Sequence, residues 1–145
     1  MRIGWWSLLV FLTLGITLEA MHGFKYQWYV GDDNSTRRLM WTLAHAHGTL
    51  LSLINLAYAA AISKLGTSFQ RFRMLSSWCL FLAGILLPGG FFAGGIVVYD
   101  GDPGLGILLV PVGGGLFFVA IILTAVAVER SPLLSNRRRE NGVDD

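Results

Sequence analysis

The sequence predicts an all-α protein, an integral membrane four-helix bundle, and three observations support this class. The 145-residue chain is 54% hydrophobic and only 14% charged, whereas a soluble domain of this length needs more charge to cover its surface. Four apolar stretches are long enough to cross about 30 Å of hydrocarbon at about 1.5 Å per residue. Polar, charged or glycine-rich connections separate these stretches. We therefore expect transmembrane helices, surrounded by the lipid bilayer, at about residues 3–22, 40–62, 74–98 and 105–128.

The single cysteine and the charge pattern bear on disulfides and on nucleic-acid binding. Cys79, the one cysteine, cannot form an internal disulfide, and its apolar surroundings predict that it packs as a small hydrophobe. The net charge is only +2, and the basic residues gather near the ends of the predicted spans. This pattern is typical of membrane orientation, and it does not indicate nucleic-acid binding.

The first span, residues 3–22, follows Arg2 and therefore also resembles a secretory signal peptide. It is long for such a segment, and Leu18-Glu19-Ala20 is a poor cleavage site, so we interpret it as a retained helix. Glu19 and His22 are three residues apart, on one face near its end. Two interpretations are open: the pair belongs to a polar site, or both side chains lie at the level of the lipid headgroups.

The connection to the second span combines aromatic and turn-forming residues. Tyr26, Trp28 and Tyr29 belong to the residue class that is enriched at membrane interfaces. Residues 31–34, GDDN, are typical of a turn. We therefore expect a polar and aromatic segment at the membrane surface.

The second span, residues 40–62, carries two of the three histidines, and ionisable side chains at membrane depth are costly enough to need a reason. Because each residue of a helix turns by about 100°, His45 and His47 point to nearly opposite sides. The side of His45 continues as a stripe of small and polar residues: Gly48, Ser52, Asn55 and Ala59. Transmembrane helices turn such stripes toward neighbouring helices or a bound group. We therefore expect His45, rather than His47, to face the interior of the bundle.

The third and fourth spans are rich in glycine. The third contains Pro88-Gly89-Gly90 and Gly94-Gly95, and the fourth contains three consecutive glycines. Proline inside a helix removes a backbone donor, and glycine lets another backbone or a flat ligand approach closely. A kink with tight helix packing and a ligand-binding surface both remain open. Residues 129–145 are strongly charged and are predicted to form a disordered cytoplasmic tail.

The distribution of lysine and arginine predicts the orientation. With four spans, the N-terminus, the second loop and the tail share one side of the membrane. Eight of the 11 basic residues lie on that side: Arg2, Lys64, Arg71, Arg73, Arg130, Arg137, Arg138 and Arg139. The other side holds Lys25, Arg37 and Arg38. We therefore expect a multi-pass protein of the cell (inner) membrane with both termini in the cytoplasm.

Sequence motifs for hydrolysis, phosphate binding and zinc binding are absent. A haem makes a smaller demand on the chain, because the porphyrin supplies four ligands and the protein need supply only one imidazole. His45, with Gly48 and Ser52 beside it on an apolar helix, meets that demand, and His47 is the alternative ligand. The competing interpretation is a histidine that is packed and hydrogen-bonded between helices.

The segment from Gly15 to Asn55 resembles the styrene oxide isomerases, small four-span membrane enzymes that are similar to the hydroxylaminobenzene mutases. The shared features are Met21-His22 near the end of the first span, a polar and aromatic connection, and Trp41-x-x-Ala44-His45 at the start of the second. The resemblance implies that His45 is the axial ligand of haem b, held where the subunits of a trimer meet. It also implies that the ferric iron acts as a Lewis acid that opens a small apolar epoxide to an aldehyde.

The chain departs from this family's pattern at three positions. Leu51 stands where the family motif has an asparagine, and Asn55 follows one turn later. Ala83 and Phe91 stand where the family has an aspartate and a tyrosine near the haem. The polar side chains left to assist a reaction are Asn55, Glu19, His22 and His47.

Three functions are therefore open. The first is a Lewis-acid isomerase of a small apolar substrate, with haem b bound at His45. The second is a non-enzymatic membrane protein whose histidines and glycines serve helix packing and assembly. The third is a haem protein for electron transfer, in which His22 supplies a second axial ligand.

Overall fold

The computed structural model describes residues 2–64 and 70–130, and nearly all of them are helical. Four long helices form the bundle: α1 (Arg2–Gly23), α3 (Ser35–Lys64), α4 (Gln70–Ile96) and α5 (Leu109–Glu129). The connection from α1 to α3 contains the short helix α2 (Gln27–Val30) and a 3-10 turn (Asp32–Asn34). The connection from α4 to α5 contains an antiparallel hairpin, β1 (Val98–Tyr99) and β2 (Asp102–Pro103), and a second 3-10 turn (Leu105–Leu108).

The predicted all-α helical bundle is confirmed, and four helices are long and apolar enough to cross a membrane. Their outer faces carry large apolar side chains, with 68% of Trp6, 70% of Ile16 and 67% of Phe118 exposed. Contiguous apolar surface of this kind is unfavourable in water and favourable against lipid tails. The chain is therefore a multi-pass membrane protein whose surroundings are the lipid bilayer.

The helix bounds differ from the predicted spans: α4 ends at Ile96 rather than near residue 98, α5 begins at Leu109 rather than near residue 105, and α3 extends beyond its span. Helix α3 begins at Ser35 rather than near residue 40. Its first turns carry two arginines: Arg37 Nε donates to the Gly95 carbonyl (3.1 Å), and Arg38 Nη1 donates to the Val30 carbonyl (2.7 Å). A prediction from hydropathy does not take these hydrogen bonds into account, so it places the start of α3 too late. Of the predicted tail, residues 131–145 lie outside the described part of the chain.

The long helices pack in chain order, α1 against α3, α3 against α4, and α4 against α5. Each pair is antiparallel, so the starts of α1 and α4 lie at the same end of the bundle as the ends of α3 and α5. That end carries the exposed Arg2, Arg71 and Arg130 and the half-buried Arg73, and we call it the basic end. Helices α1 and α4 run in the same direction and make little contact with each other.

Glycines allow α4 and α5 to touch through their backbones. A Cβ atom on Gly113 would lie 2.6 Å from the Leu87 backbone nitrogen, and one on Gly90 would lie 3.0 Å from the Val110 nitrogen. No side chain fits at such distances, so these glycines serve close helix packing. Pro88 is fully buried within α4, and the helix continues past it to Ile96.

The aromatic connection folds onto the end of the bundle opposite the basic end. The Tyr29 and Phe92 rings are both stacked with the Trp41 ring, at centroid distances of 6.2 and 5.3 Å. Trp41 Nε1 donates to the Phe92 carbonyl (3.0 Å), which ties α3 to α4. Arg37 lies over the Trp28 ring, 4.4 Å from its centroid. This end of the bundle is therefore closed by aromatic packing, and Tyr29 is only 4% exposed.

Candidate cofactor site

His45 lies at a close contact between α1 and α3. A Cβ atom on Gly15 of α1 would lie 2.3 Å from His45 Cε1, which is far inside van der Waals contact. Only glycine therefore lets the imidazole ring lie against α1 at this point. Gly15 of α1 therefore determines where the His45 ring of α3 can lie.

The backbone of α1 also determines which ring nitrogen of His45 carries hydrogen. His45 Nδ1 is 2.7 Å from the Phe11 carbonyl oxygen. A carbonyl can only accept, so Nδ1 is the protonated nitrogen, and in the neutral ring the Nε2 lone pair is available. Metal-ligating histidines characteristically donate their other N–H to a backbone carbonyl or a carboxylate, which fixes the orientation of the ring. His45 is therefore held as a monodentate ligand would be.

An open groove of about 590 Å³ lies beside His45 between α1 and α3, and we call it the His45 groove. Its polar lining consists of Glu19, His22, Tyr29, Thr42 and His45, and its apolar lining includes Leu12, Ile16 and Leu18. The volume is in the range of about 300–1,000 Å³ that is usual for small-molecule and cofactor sites. An apolar wall with a few convergent polar groups is the ordinary composition of such a site.

The structure brings together three of the side chains proposed from the sequence. Glu19, His22 and His45 all line the His45 groove, although they come from two helices. Glu19 and His22 are exposed, and both line the groove. Within residues 2–64 and 70–130, no three His, Cys, Asp or Glu side chains converge to hold a bare metal ion.

Gly48 and Ser52, proposed as cofactor-binding residues, are occupied by contacts with α1 instead of lining the His45 groove. A Cβ atom on Gly48 would lie 2.2 Å from the Phe11 ring. The Ser52 hydroxyl donates to the Gly48 carbonyl (2.7 Å) and lies 2.8 Å from the Ser7 hydroxyl. The stripe that contains His45 faces the neighbouring helix α1. At Gly48 and Ser52 this stripe serves helix packing.

Asn55, a proposed catalytic residue, lies away from the groove. It follows His45 by ten residues, about 15 Å along the helix. Its Nδ2 donates to the Leu51 carbonyl (3.1 Å), and its side chain lines a separate pocket toward the basic end. The structure therefore does not place Asn55 beside His45.

His47, the alternative ligand, contacts α4. Its ring packs against Phe91 with centroids 4.9 Å apart, and its Nδ1 lies 2.9 Å from the Leu43 carbonyl oxygen. His47 is not among the residues that line the His45 groove. The two histidines thus face different neighbours, as their spacing on one helix predicts.

The three departures from the isomerase pattern also lie elsewhere. Leu51 and Ala83 are buried in the helix packing, with 2% and 0% exposed, and Phe91 covers His47. None of the three lines the His45 groove. The loss of polar side chains at these three positions therefore removes no polar group from the lining of the groove.

Tyr29 and Thr42 are groove residues that the sequence analysis did not select. Neither hydroxyl has a hydrogen-bond partner in the described part of the chain, and both side chains line the groove. Thr42 lies one turn before His45 on the same face of α3, so the helical spacing could have selected it. Tyr29 reaches the groove only because its connection folds back over α1 and α3, which no local pattern reveals.

The fold and the groove together define a class: a multi-pass membrane helical bundle with a histidine-bearing groove between its first two long helices. No family model, curated protein or solved structure matches the chain. The function must therefore be argued from the groove itself and from the resemblance at the Trp41–His45 motif.

Proposed function

We propose that the protein binds haem b in the His45 groove, with His45 Nε2 as the axial ligand, and isomerises a small apolar epoxide to a carbonyl compound. The observation that carries the proposal is the hydrogen bond from His45 Nδ1 to the Phe11 carbonyl (2.7 Å), which leaves Nε2 available. The same residue is selected by the resemblance to the styrene oxide isomerases.

The donor set of the groove fits a haem better than it fits a bare metal ion. A haem needs one protein ligand, and the described residues offer no cluster of three ligands. The apolar side chains along the groove suit a porphyrin face. When bound, the ferric iron supplies a Lewis acid that polarises the substrate oxygen.

The residues of the groove have separable tasks in this proposal. His45 holds the cofactor, and the Phe11 carbonyl holds the His45 ring. The Tyr29 hydroxyl, which has no hydrogen-bond partner in the described ranges, donates to the substrate oxygen. Isomerisation breaks one C–O bond and moves one hydrogen to the neighbouring carbon, so substrate and product have the same composition.

The proposal also includes a homo-oligomer and a location in the cell (inner) membrane. The groove is open on the outer surface of α1 and α3, and a second copy of the chain against that surface would close it, which supports a homo-oligomer such as the trimer of the isomerase family. The excess of arginine at the basic end supports a cell (inner) membrane location with both termini cytoplasmic.

A haemin titration of the detergent-purified protein, followed by absorption, tests the proposal. We expect a Soret band that is lost in His45→Ala and retained in His47→Ala, the matched control one half-turn away. Addition of imidazole to His45→Gly should restore the band, because it replaces the missing ligand in the space that the variant leaves. Retention in His45→Ala with loss in His47→Ala would refute the assignment.

Electron transfer is the second candidate, because His22 lines the same groove as His45. Two axial imidazoles would make the iron six-coordinate and would leave no position for a substrate. A flat spectrum after haemin addition would instead favour the non-enzymatic function, with the histidines serving helix packing.

A further inference from the structure

The geometry points to a second site, unrelated to the His45 groove: a binding site for one acidic phospholipid, with its phosphate on Arg73 and an acyl chain between α1 and α4. This inference does not depend on the proposed haem function. It rests on a half-buried arginine with no partner among the described residues, on the lack of acid in α3 and α4, and on an apolar cleft at least one leaflet deep.

The backbone around Arg73 is held rigidly. The Tyr58 hydroxyl of α3 donates to the Arg73 carbonyl (2.9 Å), and the Ser77 hydroxyl donates to the same oxygen (2.7 Å). The Tyr58 hydroxyl also contacts the Ser76 hydroxyl. A cluster of hydroxyls on one carbonyl fixes the first turns of α4 against α3, and it fixes the base of the Arg73 side chain with them.

The Arg73 guanidinium makes no hydrogen bond or ion pair with any described residue. It lines a pocket of about 480 Å³ with Tyr58, Ser63 and Ser77, which we call the Arg73 pocket. The arginines at the opposite end differ, because Arg37 and Arg38 are satisfied by backbone carbonyls. A half-buried cation gains from an anionic partner, and guanidinium matches phosphate geometry.

The described acid at the basic end is Glu129, the last residue of α5, and it makes no ion pair with Arg73. No Asp or Glu occurs between Asp33 and Asp100, so α3 and α4 contain none. The single acid of α1, Glu19, lies toward the opposite end of that helix. The described residues therefore leave Arg73 without an anionic partner, and a lipid phosphate would supply one.

The Arg73 pocket leads into apolar space between the parallel helices α1 and α4. A hollow of about 370 Å³, lined by Ile3, Met74, Trp78 and Phe81, shares Ile3, Ser77 and Phe81 with the Arg73 pocket. Farther along, a hollow of about 470 Å³ is lined by Val10, Leu14, Ile85 and Gly89. We call this series of hollows the α1–α4 cleft.

From Arg73 to Ile85 the α1–α4 cleft is one leaflet deep, and its far hollow continues to Gly89, one turn farther along α4. Arg73 and Ile85 are twelve residues apart on α4, about 18 Å at about 1.5 Å per residue. Half of a hydrocarbon core of about 30 Å is about 15 Å. An anion-binding group at the membrane surface, followed by an apolar cleft at least one leaflet deep, has the shape of a phospholipid rather than of a free phosphate.

Native mass spectrometry of the full-length protein in detergent tests the inference, with dioleoylphosphatidylglycerol and dioleoylphosphatidylcholine as probes. We expect the acidic lipid to bind preferentially, with one copy per chain. Arg73→Gln should weaken its binding at least about tenfold, equivalent to about 1.4 kcal/mol. Arg71→Gln is the matched control, because it removes the same charge from an exposed position two residues away, and it should weaken binding less than about threefold.

A second variant tests the acyl-chain part of the site and does not depend on Arg73. Gly89 lines the cleft, and a Cβ atom there would meet nothing within 4 Å, so Gly89→Leu fills the cleft without displacing a helix. We expect it to weaken dioleoylphosphatidylglycerol but to leave dihexanoylphosphatidylglycerol unchanged. Circular dichroism of each variant checks that the helices are retained.

Three results would overturn the inference. Equal retention of the two dioleoyl lipids would show that the site does not select a headgroup with net negative charge. Equal effects of the Arg73 and Arg71 variants would indicate diffuse attraction to a basic surface. Displacement by inorganic phosphate, together with no effect of Gly89→Leu, would identify a phosphate site without a lipid chain.

Discussion

Gly15→Ala tests whether the glycine of α1 determines the position of His45. The added methyl would lie 2.3 Å from Cε1, 2.7 Å from Nδ1 and 2.8 Å from Nε2 of the imidazole. Ordinary carbon contacts are about 3.5 Å or longer, so the ring must move by about 1 Å or more. Such a movement breaks the 2.7 Å hydrogen bond to the Phe11 carbonyl.

The expected cost follows from three terms. Overpacking costs about 1–3 kcal/mol and the lost hydrogen bond about 0.5–1.5 kcal/mol. Alanine returns about 0.5–1 kcal/mol through its higher helix propensity. We therefore expect Gly15→Ala to destabilise the fold by about 0.5–4 kcal/mol and, because the group that orients the ligand is lost, to weaken haem binding about 10- to 100-fold.

The assays are denaturant unfolding in detergent and haemin titration, and Gly4→Ala is the control. The control adds the same methyl to the same helix, but its nearest neighbour is the Leu56 side chain (2.8 Å), whose flexible end can move away. The reasoning is refuted if Gly15→Ala binds haemin within about twofold of Gly4→Ala and unfolds at the same denaturant concentration.

Three further substitutions probe the bundle and the groove. Gly113→Leu should destabilise the protein by about 3 kcal/mol or more, because its Cβ would lie 2.6 Å from an α4 backbone nitrogen; Gly115→Leu, with nothing within 4 Å, should unfold like the unmodified protein. Trp41→Phe should cost about 0.5–1.5 kcal/mol in unfolding, because the part-buried hydrogen bond from the indole to the Phe92 carbonyl (3.0 Å) is lost; equal stability would contradict this. Tyr29→Phe should lower epoxide turnover at least about tenfold with an unchanged haem spectrum, whereas unchanged turnover would remove the Tyr29 hydroxyl from the proposed reaction.

Much of the bundle was predictable because the length and apolar composition of a segment identify it as a membrane helix. The four long apolar runs and their antiparallel order follow from the sequence. The position of His45 against a neighbouring helix was also predictable, because periodicity assigns each residue to a face.

Helical periodicity does not show which helix or ligand each residue of a face contacts. The same periodicity groups Gly48, Ser52 and Asn55 with His45, yet the first two contact α1 and the third lines a pocket about 15 Å away. A helical wheel gives direction only, so helix packing and cofactor contact look alike in it. The contribution of Tyr29 depends on the fold of a connection whose pairings with Trp41 are long-range.

The coordination of the iron, measured by electron paramagnetic resonance of the haem-loaded ferric protein, tests the central claim most directly. The account predicts a high-spin, five-coordinate signal that disappears in His45→Ala and is unchanged in His22→Ala. A low-spin, six-coordinate signal that is lost in both variants would contradict it, because His22 would then occupy the position that the substrate requires.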